Sequence, residues 1–349
     1  MEKQRLNRFK KLLSVPTKSR DEFQMINFIC THLDQMVDEG MVIDYYLDDL
    51  NNIYVTKGES ISYPCFISHT DTVHEIDSIN VIEGVKTKPI TFGKSFGNEE
   101  HNVLFAVNDQ GNPTGIGGDD KAGIFICLEI LRNVEDCKLA FFVSEEIGCI
   151  GSSNADVDFF SDVTYVCEYD APGDHLITEI CSGVRLYEKN GEFINTMKPI
   201  IENSFGNPMI EQSHPFTDVM QLKNKLPVSC INISCGYYNM HSVNEFIALT
   251  DVDRAINCGI EMSMYGYDEK YYFENTKPSY VNDFKDDVYD SEDSKWLSEG
   301  VVIFDEHSSG MTIEEYDTGN SLYLTEKECK RLYEYLKSKH SPSTQHRLF

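Results

Sequence analysis

The chain reads as an α/β protein, with a mixed, largely parallel central sheet flanked by helices and a small α+β appendix at its C-terminal end. Three observations predict this. Short apolar runs of strand length (Cys65 to Ser68, Leu139 to Val143, Val163 to Glu168 and Val228 to Ser234) lack apolar–polar alternation, as expected of strands buried on both faces. Segments of helical period, Lys121 to Arg132 and Asp251 to Met264, alternate with them. The acids and histidines that could do chemistry fall beside predicted strands, where the loops of such sheets converge.

Leu6 to Leu13 has helical spacing and stops before Pro16. Ser19 with Glu22 predicts a capping box for a second helix running to about Val37, with Phe23, Ile26, Cys30, Leu33 and Val37 on one face. Val42 to Tyr46 and Ile53 to Thr56 read as a hairpin around Asp48 to Asn52. The alternating strands and helices above then complete a main domain over 1–270. Residues 271–297 read as an acidic linker, since Val281 to Trp296 holds six acids against Lys285 and Lys295. In the 298–349 appendix, Val301 to Phe304, Thr312 to Tyr316 and Leu322 to Tyr323 predict short strands, and Thr325 with Glu328 caps a final helix to about Lys337. This appendix could cover a cleft, mediate self-association into a homo-oligomer or recruit a partner.

With 349 residues the chain can bury a sizeable core. A formal charge of −28 and the lack of any basic stripe exclude nucleic acid as an expected partner. No apolar run approaches the roughly 20 residues that cross a bilayer, and the amphipathic N-terminal segment has no signal-type apolar core, so no membrane partner and a cytoplasmic location are expected. The 11 cysteines are odd in number and show no Cys-x-x-Cys pair; they read as buried small apolar residues.

The chemistry centres on Ser144-Glu145-Glu146 after the run Leu139 to Val143. Of two adjacent carboxylates at a strand end, one can bind a metal while the other moves protons. His69-Thr70-Asp71 offers an imidazole for a metal and, two residues on, a carboxylate to fix its tautomer; a capped strand with a surface turn is the bland alternative. His74 reads as a bystander. Gly117-Gly118-Asp119-Asp120-Lys121 opens a helix: glycines allow close backbone approach and a carboxylate there could bridge two cations, whereas the bland reading has Asp119 as an N-cap and Asp120 favouring the helix dipole. Asp170 and Glu168 compete as the next acid, and spacing does not choose between them. His241, in the loop after the last strand, completes the set.

The ordered series His69-x-Asp71, Gly118-Asp119-Asp120-Lys121-x-Gly123, Glu145-Glu146-x-Gly148, Asp170 and His241 resembles the co-catalytic zinc peptidases: peptidase T, the aminoacylase and carboxypeptidase G group, and the deblocking aminopeptidases. The resemblance covers roughly residues 5 to 265. It implies two divalent metal ions, zinc first and cobalt or manganese as alternatives, with His69 and Asp170 on one, Glu146 and His241 on the other and Asp119 between them. It further implies that Asp71 orients His69, that Glu145 is the general base acting on a metal-bound water, and that the Asp119–Asp120 peptide is cis. Thr217-Asp218 resembles a segment of the deblocking group, which would place Asp218 behind the ligands.

Departures narrow the substrate. The separation of 71 positions from Asp170 to His241 leaves no room for the lid domain of the aminoacylase group, and with it go the groups expected to clamp a substrate carboxylate. The separation of 50 positions from His69 to Asp119, with Gly93, Gly97, Asn98 and Asn102 to Val107, predicts an extended hairpin rather than a whole β-barrel. A lidless aminopeptidase acting on a peptide substrate with a free N-terminus is the expectation. An N-acyl amino acid amidase or deacylase with the same site, and an inactive binding or scaffold protein on the same fold, are the alternatives. Tyr187, Phe216 and Tyr237 could line a first side-chain pocket but read more readily as core.

Overall fold

A computed structural model describes residues 1–75, 78–88, 100–214, 216–265 and 271–274, and the backbone of four strands between 294 and 325. The chain divides into two compact units, Met1–Thr276 and Lys277–Phe349.

The first unit begins with α1 (Lys3–Leu13) and α2 (Phe23–Asp38), followed by the antiparallel pair β1 (Ile43–Leu47) and β2 (Ile53–Lys57), as the hairpin expectation requires. There follow β3 (Tyr63–His69), β4 (Asn80–Thr87), β5 (Glu100–Val107), β6 (Pro113–Thr114), α3 (Gly118–Asn133), β7 (Cys137–Phe142), α4 (Ile150–Ser153), a 3-10 turn at Val157–Phe160 and β8 (Val163–Ala171). The last part holds β9 (Leu176–Cys181), β10 (Val184–Arg185), α5 (Glu192–Phe205), β11 (Ile210–His214), α6 (Asp218–Lys223), β12 (Cys230–Ser234), β13 (Tyr237–Tyr238), β14 (Phe246–Ala248) and α7 (Leu249–Ser263).

Nine strands form the central sheet in the order β1-β2-β7-β3-β8-β12-β9-β10, with β11 also on β9. The inner strands β7, β3, β8 and β12 run parallel, and every residue of the four is buried. That burial is why their sequences are continuous apolar runs. Between Asp170 and His241 the described elements are β9, β10, β11 and β12 of this sheet, with α5, α6 and β13. β4 and β5 form the expected long hairpin, whose Gly93, Gly97 and Asn98 lie outside the described residues. It extends through β14, β13 and β6 into a second, five-stranded antiparallel sheet.

Two local expectations are corrected. Ser19 and Glu22 form no capping box: Ser19 Oγ donates to Asp71 Oδ2 (2.7 Å), and Glu22 accepts from Thr70 Oγ1 (2.5 Å) and from the amide and hydroxyl of Ser144 (3.2 and 2.9 Å). These two residues fasten loops of the sheet instead of a helix end. In α2 the buried stripe is Met25, Ile26, Ile29, Leu33 and Met36, and Phe23 is 75% exposed. Both stripes obey the 3–4 spacing of a helix, and packing on the core selects the one that is turned.

In the second unit β15 (Ser294–Ser298), β16 (Val301–Asp305), β17 (Gly310–Glu315) and β18 (Asn320–Thr325) form an antiparallel meander. β15 begins within the stretch read as linker or loop and ends at the first residue of the appendix. The final helix expected to Lys337 lies outside the described residues.

Candidate metal centre

Because β7, β3, β8 and β12 are parallel, their C-terminal ends share one edge of the sheet. β3 ends in His69; the loop after β7 carries Glu145 and Glu146; β8 carries Asp170 near its end; the loop after β13 carries His241. Asp119 arrives from the other direction, at the start of α3.

That start is a tightly built turn. Gly117 has φ +68°, and a Cβ there would lie 2.8 Å from Thr72 Cγ2 and 3.2 Å from Lys121 Cε. A Cβ on Gly118 would lie 2.8 Å from Tyr237 Cβ. Only glycine fits the pair. The Asp119–Asp120 peptide is cis, as the resemblance implies. Asp120 does more than face a helix dipole: it accepts from Ser68 Oγ, from His69 N (3.3 Å) and from Gly123 N (3.1 Å), tying the end of β3 to the first turn of α3.

The structure brings the sequence-predicted residues together. Asp119 Oδ1 lies 3.2 Å from His69 Nε2 and Asp119 Oδ2 lies 3.3 Å from His241 Nε2, so one carboxylate addresses both imidazoles. Asp170 Oδ1 is 3.8 Å from His69 Nε2, and Glu146 Oε2 is 3.1 Å from His241 Nε2. On the far side of its ring, His69 Nδ1 lies 3.2 Å from Asp71 Oδ1 and 3.1 Å from the Asp71 carbonyl. Asp71 also accepts from the amides of Glu145 (2.9 Å) and Glu146 (3.3 Å). Two groupings have ligand atoms close enough to share a cation: His69, Asp119 and Glu146, and His69, Asp120 and Asp170. Neither Glu145 nor His241 belongs to these groupings; among the described residues the Glu145 side chain accepts only from Cys149 Sγ, at 3.5 Å.

The choice between Glu168 and Asp170 is made by an irregularity in β8. The register pairs Asn232 with Glu168 but Ser234 with Ala171, so β8 spends one more residue than β12 between those points. Such a bulge re-aims side chains that would otherwise share a face. Asn232 fills the gap, accepting from Asp170 N and donating to Asp170 O, both at 2.9 Å. Asp170 therefore turns to His69, and Glu168 accepts instead from Val219 N (3.1 Å).

The electrostatics are those of too many buried carboxylates for two imidazoles. Burial alone would lower the His69 pKa, but Asp119, Asp170 and Asp71 together lift it well above the usual range. Bonds to Asp119 and Glu146 raise His241 to about 11. Burial would raise Asp119, but the two histidines hold it far below an ordinary carboxylate. Burial first, and neighbouring acids second, push up Glu145 and Asp170, and push Glu146 to about 7. Burial likewise lifts Asp218 to about 7. Among the described residues, Glu146 Oε1 is buried with no hydrogen-bond partner. A buried acceptor without a donor, in a set of imidazoles and carboxylates, is what a bound divalent cation would resolve.

Several contributing residues escaped the sequence reading. Glu245 accepts from Gly117 N (2.8 Å) and Asp119 N (3.1 Å) and contacts His74 Nε2 (2.9 Å), so the supposed bystander His74 helps hold the turn that presents Asp119. Tyr237 is buried as expected, yet its hydroxyl donates to Asp170 Oδ1 (3.1 Å). Asp218, which the resemblance had already placed behind the ligands, accepts from Ser152 Oγ behind the loop that bears Glu145.

No family model matches the chain, and no curated protein sequence matches it. Solved structures do. It resembles aminopeptidase PepT from Bacillus cereus with a TM-score of 0.57 at 12% identity, over 74% of this chain and 97% of that one. A tripeptidase from Staphylococcus aureus gives 0.54 at 16%, over 76% and 98%. The Pyrococcus horikoshii TET1 peptidase, which can assemble into a tetrahedron or a large octahedral shell, gives 0.52 at 15%, over 74% and 98%. At such identities the likeness establishes the fold.

Proposed function

We propose that this chain, which has the fold of those solved aminopeptidases, is a dinuclear metal-dependent peptidase that removes residues from peptides with a free N-terminus. The observation that carries the reading is Asp119, whose two oxygens each meet a different imidazole. His69 and Asp170 would hold one divalent ion, Glu146 and His241 the other, with Asp119 shared. Zinc suits this imidazole–carboxylate set, and cobalt or manganese can replace it. When bound, such a pair supplies Lewis-acid polarisation of the scissile carbonyl and acidification of water.

The chain's own residues do the rest. Asp71 fixes the His69 tautomer through Nδ1. Glu145, oriented through its backbone amide by Asp71, takes a proton from the attacking water and delivers it to the leaving amine. Among the described residues no helix is long and apolar enough to cross a membrane, which is compatible with a peptidase acting on peptides in solution.

Glu145→Gln tests this. The variant should retain the zinc content of the wild type while losing turnover of alanine tripeptides by roughly 10³-fold or more, beyond the 10²–10⁴ typical of a general base only if it also orients water. Wild-type activity in the variant would sink the assignment. Preference for acetylated over free-amine substrates would point to a deacylase instead, and a wild-type protein that retains no metal and hydrolyses neither would point to a scaffold.

A further inference from the structure

Glu145, the carboxylate to which the peptidase reading gives the proton, is held unlike the other acids around it. Asp71 accepts from Ser19 Oγ and from the amides of Glu145 and Glu146. Asp120 accepts from Ser68 Oγ and from the amides of His69 and Gly123. Glu245 accepts from the amides of Gly117 and Asp119. Glu145 is only 9% exposed, yet among the described residues its carboxylate accepts a single hydrogen bond, at Oε1 from Cys149 Sγ (3.5 Å).

The backbone of the same turn brings the thiol there. Glu145 O accepts from Gly148 N (2.9 Å) and Cys149 N (2.8 Å), which folds residue 149 back over residue 145. The next two amides, of Ile150 and Gly151, donate to Ser144 O (3.1 Å) and Val143 O (2.9 Å) and lock the turn onto the chain leaving β7. To make this turn the backbone takes φ +108° at Gly148 and +52° at Cys149. Glycine adopts such a backbone freely, whereas a residue with a Cβ adopts it at a cost, so the strain at position 149 points to a use for its side chain. Cys149 is fully buried. Burial first, and the Glu145 charge second, push its pKa well above the usual thiol range, so the sulfur carries its proton.

The kind of donor matters. Strong donors at a carboxylate favour its charged form and weaken it as a base. A thiol is a weak donor. It can fix the direction of a carboxylate while leaving most of its proton affinity, which suits a group that takes a proton from water and gives it up again.

We propose that Cys149 is a positioning residue for Glu145: its S–H donates to Oε1 and leaves the other carboxylate oxygen turned to the attacking water. This rests on the reading of Glu145 as the general base of a peptidase.

The test pairs kinetics with infrared spectroscopy of the zinc-loaded protein. Cys149→Ala should keep the zinc content and the KM of the wild type for trialanine while kcat falls about tenfold. Cys149→Ser, which restores a donor, should recover most of that loss. A cysteine that only filled space would give the reverse order, because a buried hydroxyl serves an apolar filling role worse than a methyl does. In the S–H stretching region, one thiol band should move to higher frequency in Glu145→Gln, whose neutral amide oxygen is the weaker acceptor. That readout stands even if neither Cys149 variant folds. Wild-type kcat in Cys149→Ala, a serine variant no better than the alanine variant, or thiol bands indifferent to Glu145→Gln overturns the inference. The two readings fail differently. If the peptidase reading alone fails, the wild type hydrolyses no trialanine although the thiol band still responds to Glu145→Gln; if the positioning role alone fails, the wild type hydrolyses trialanine and the thiol bands do not respond.

Discussion

The two halves of the metal centre use the same residue types and hold them differently. The His69 side chain is 1% exposed, ends a buried strand, and has its second nitrogen against Asp71, which is itself held by Ser19 and by the amides of Glu145 and Glu146. The His241 side chain is 35% exposed, has φ +57°, and among the described residues nothing holds its Nδ1. Rigidity on that side comes through the backbone, where Glu245 ties the end of the His241 loop to Gly117 and Asp119. A ligand at a strand end is preorganised by the sheet, whereas a ligand on a loop is only as fixed as its anchor. The first half should bind its ion more tightly than the second.

Removing each imidazole tests that contrast most severely. His69→Ala should lose both zinc equivalents and several kcal/mol of stability, because Asp119, Asp170 and Asp71 then remain buried without their cation. His241→Ala should keep one zinc equivalent after dialysis and melt near the wild type, while activity falls at least about 10²-fold. Elemental analysis with a thermal melt reads both variants. Identical stoichiometry in the two would abolish the distinction between strand and loop.

A smaller effect sharpens it. Asp71→Asn should weaken the tighter zinc site by about 10- to 100-fold, the usual cost of losing a carboxylate behind a histidine ligand. Glu245→Gln, which still accepts one amide but loses its charge, should weaken the looser site by less and leave the tighter one unchanged. Competition with a chromogenic chelator resolves the two constants, and the reverse pattern would show that the loop half is the better built.

Legibility in the sequence follows the same divide. The inner strands were readable because complete burial writes continuous apolar runs, and the strand-end candidates His69, Glu145 and Glu146 followed from them. Asp170 was not separable from Glu168 by spacing, because alternation puts both on one face and only the bulge opposite Asn232 parts them. Glu245, His74 and Tyr237 were illegible as site residues because their roles are contacts across 67 to 171 positions, invisible to any local pattern. The helix stripe of α2 and the Ser19–Glu22 pair were misread for a related reason. Local rules described an isolated helix end, while the fold had recruited both side chains to brace the loops at Asp71 and Ser144.

Lys121 supplies the mildest test, since it sits behind the turn that joins the two halves. It is 1% exposed, and its ammonium donates to Leu13 O (3.1 Å) at the end of α1. Burial pulls its pKa down to about 7, with Glu245 opposing the shift. In the unfolded chain the same group keeps its proton until about 10.4. Between pH 7 and 9 the unfolded state therefore binds more protons at this position, and stability contributed by Lys121 rises with pH. Other groups titrate over that window too, so the informative quantity is a difference. Wild type should gain stability relative to Lys121→Met as pH goes from 7 to 9 in urea melts of the zinc-loaded protein. A flat difference would mean that Lys121 stays protonated, paired with Glu245, and that the turn presenting Asp119 is braced by an ion pair rather than by a neutral amine donating to the end of α1.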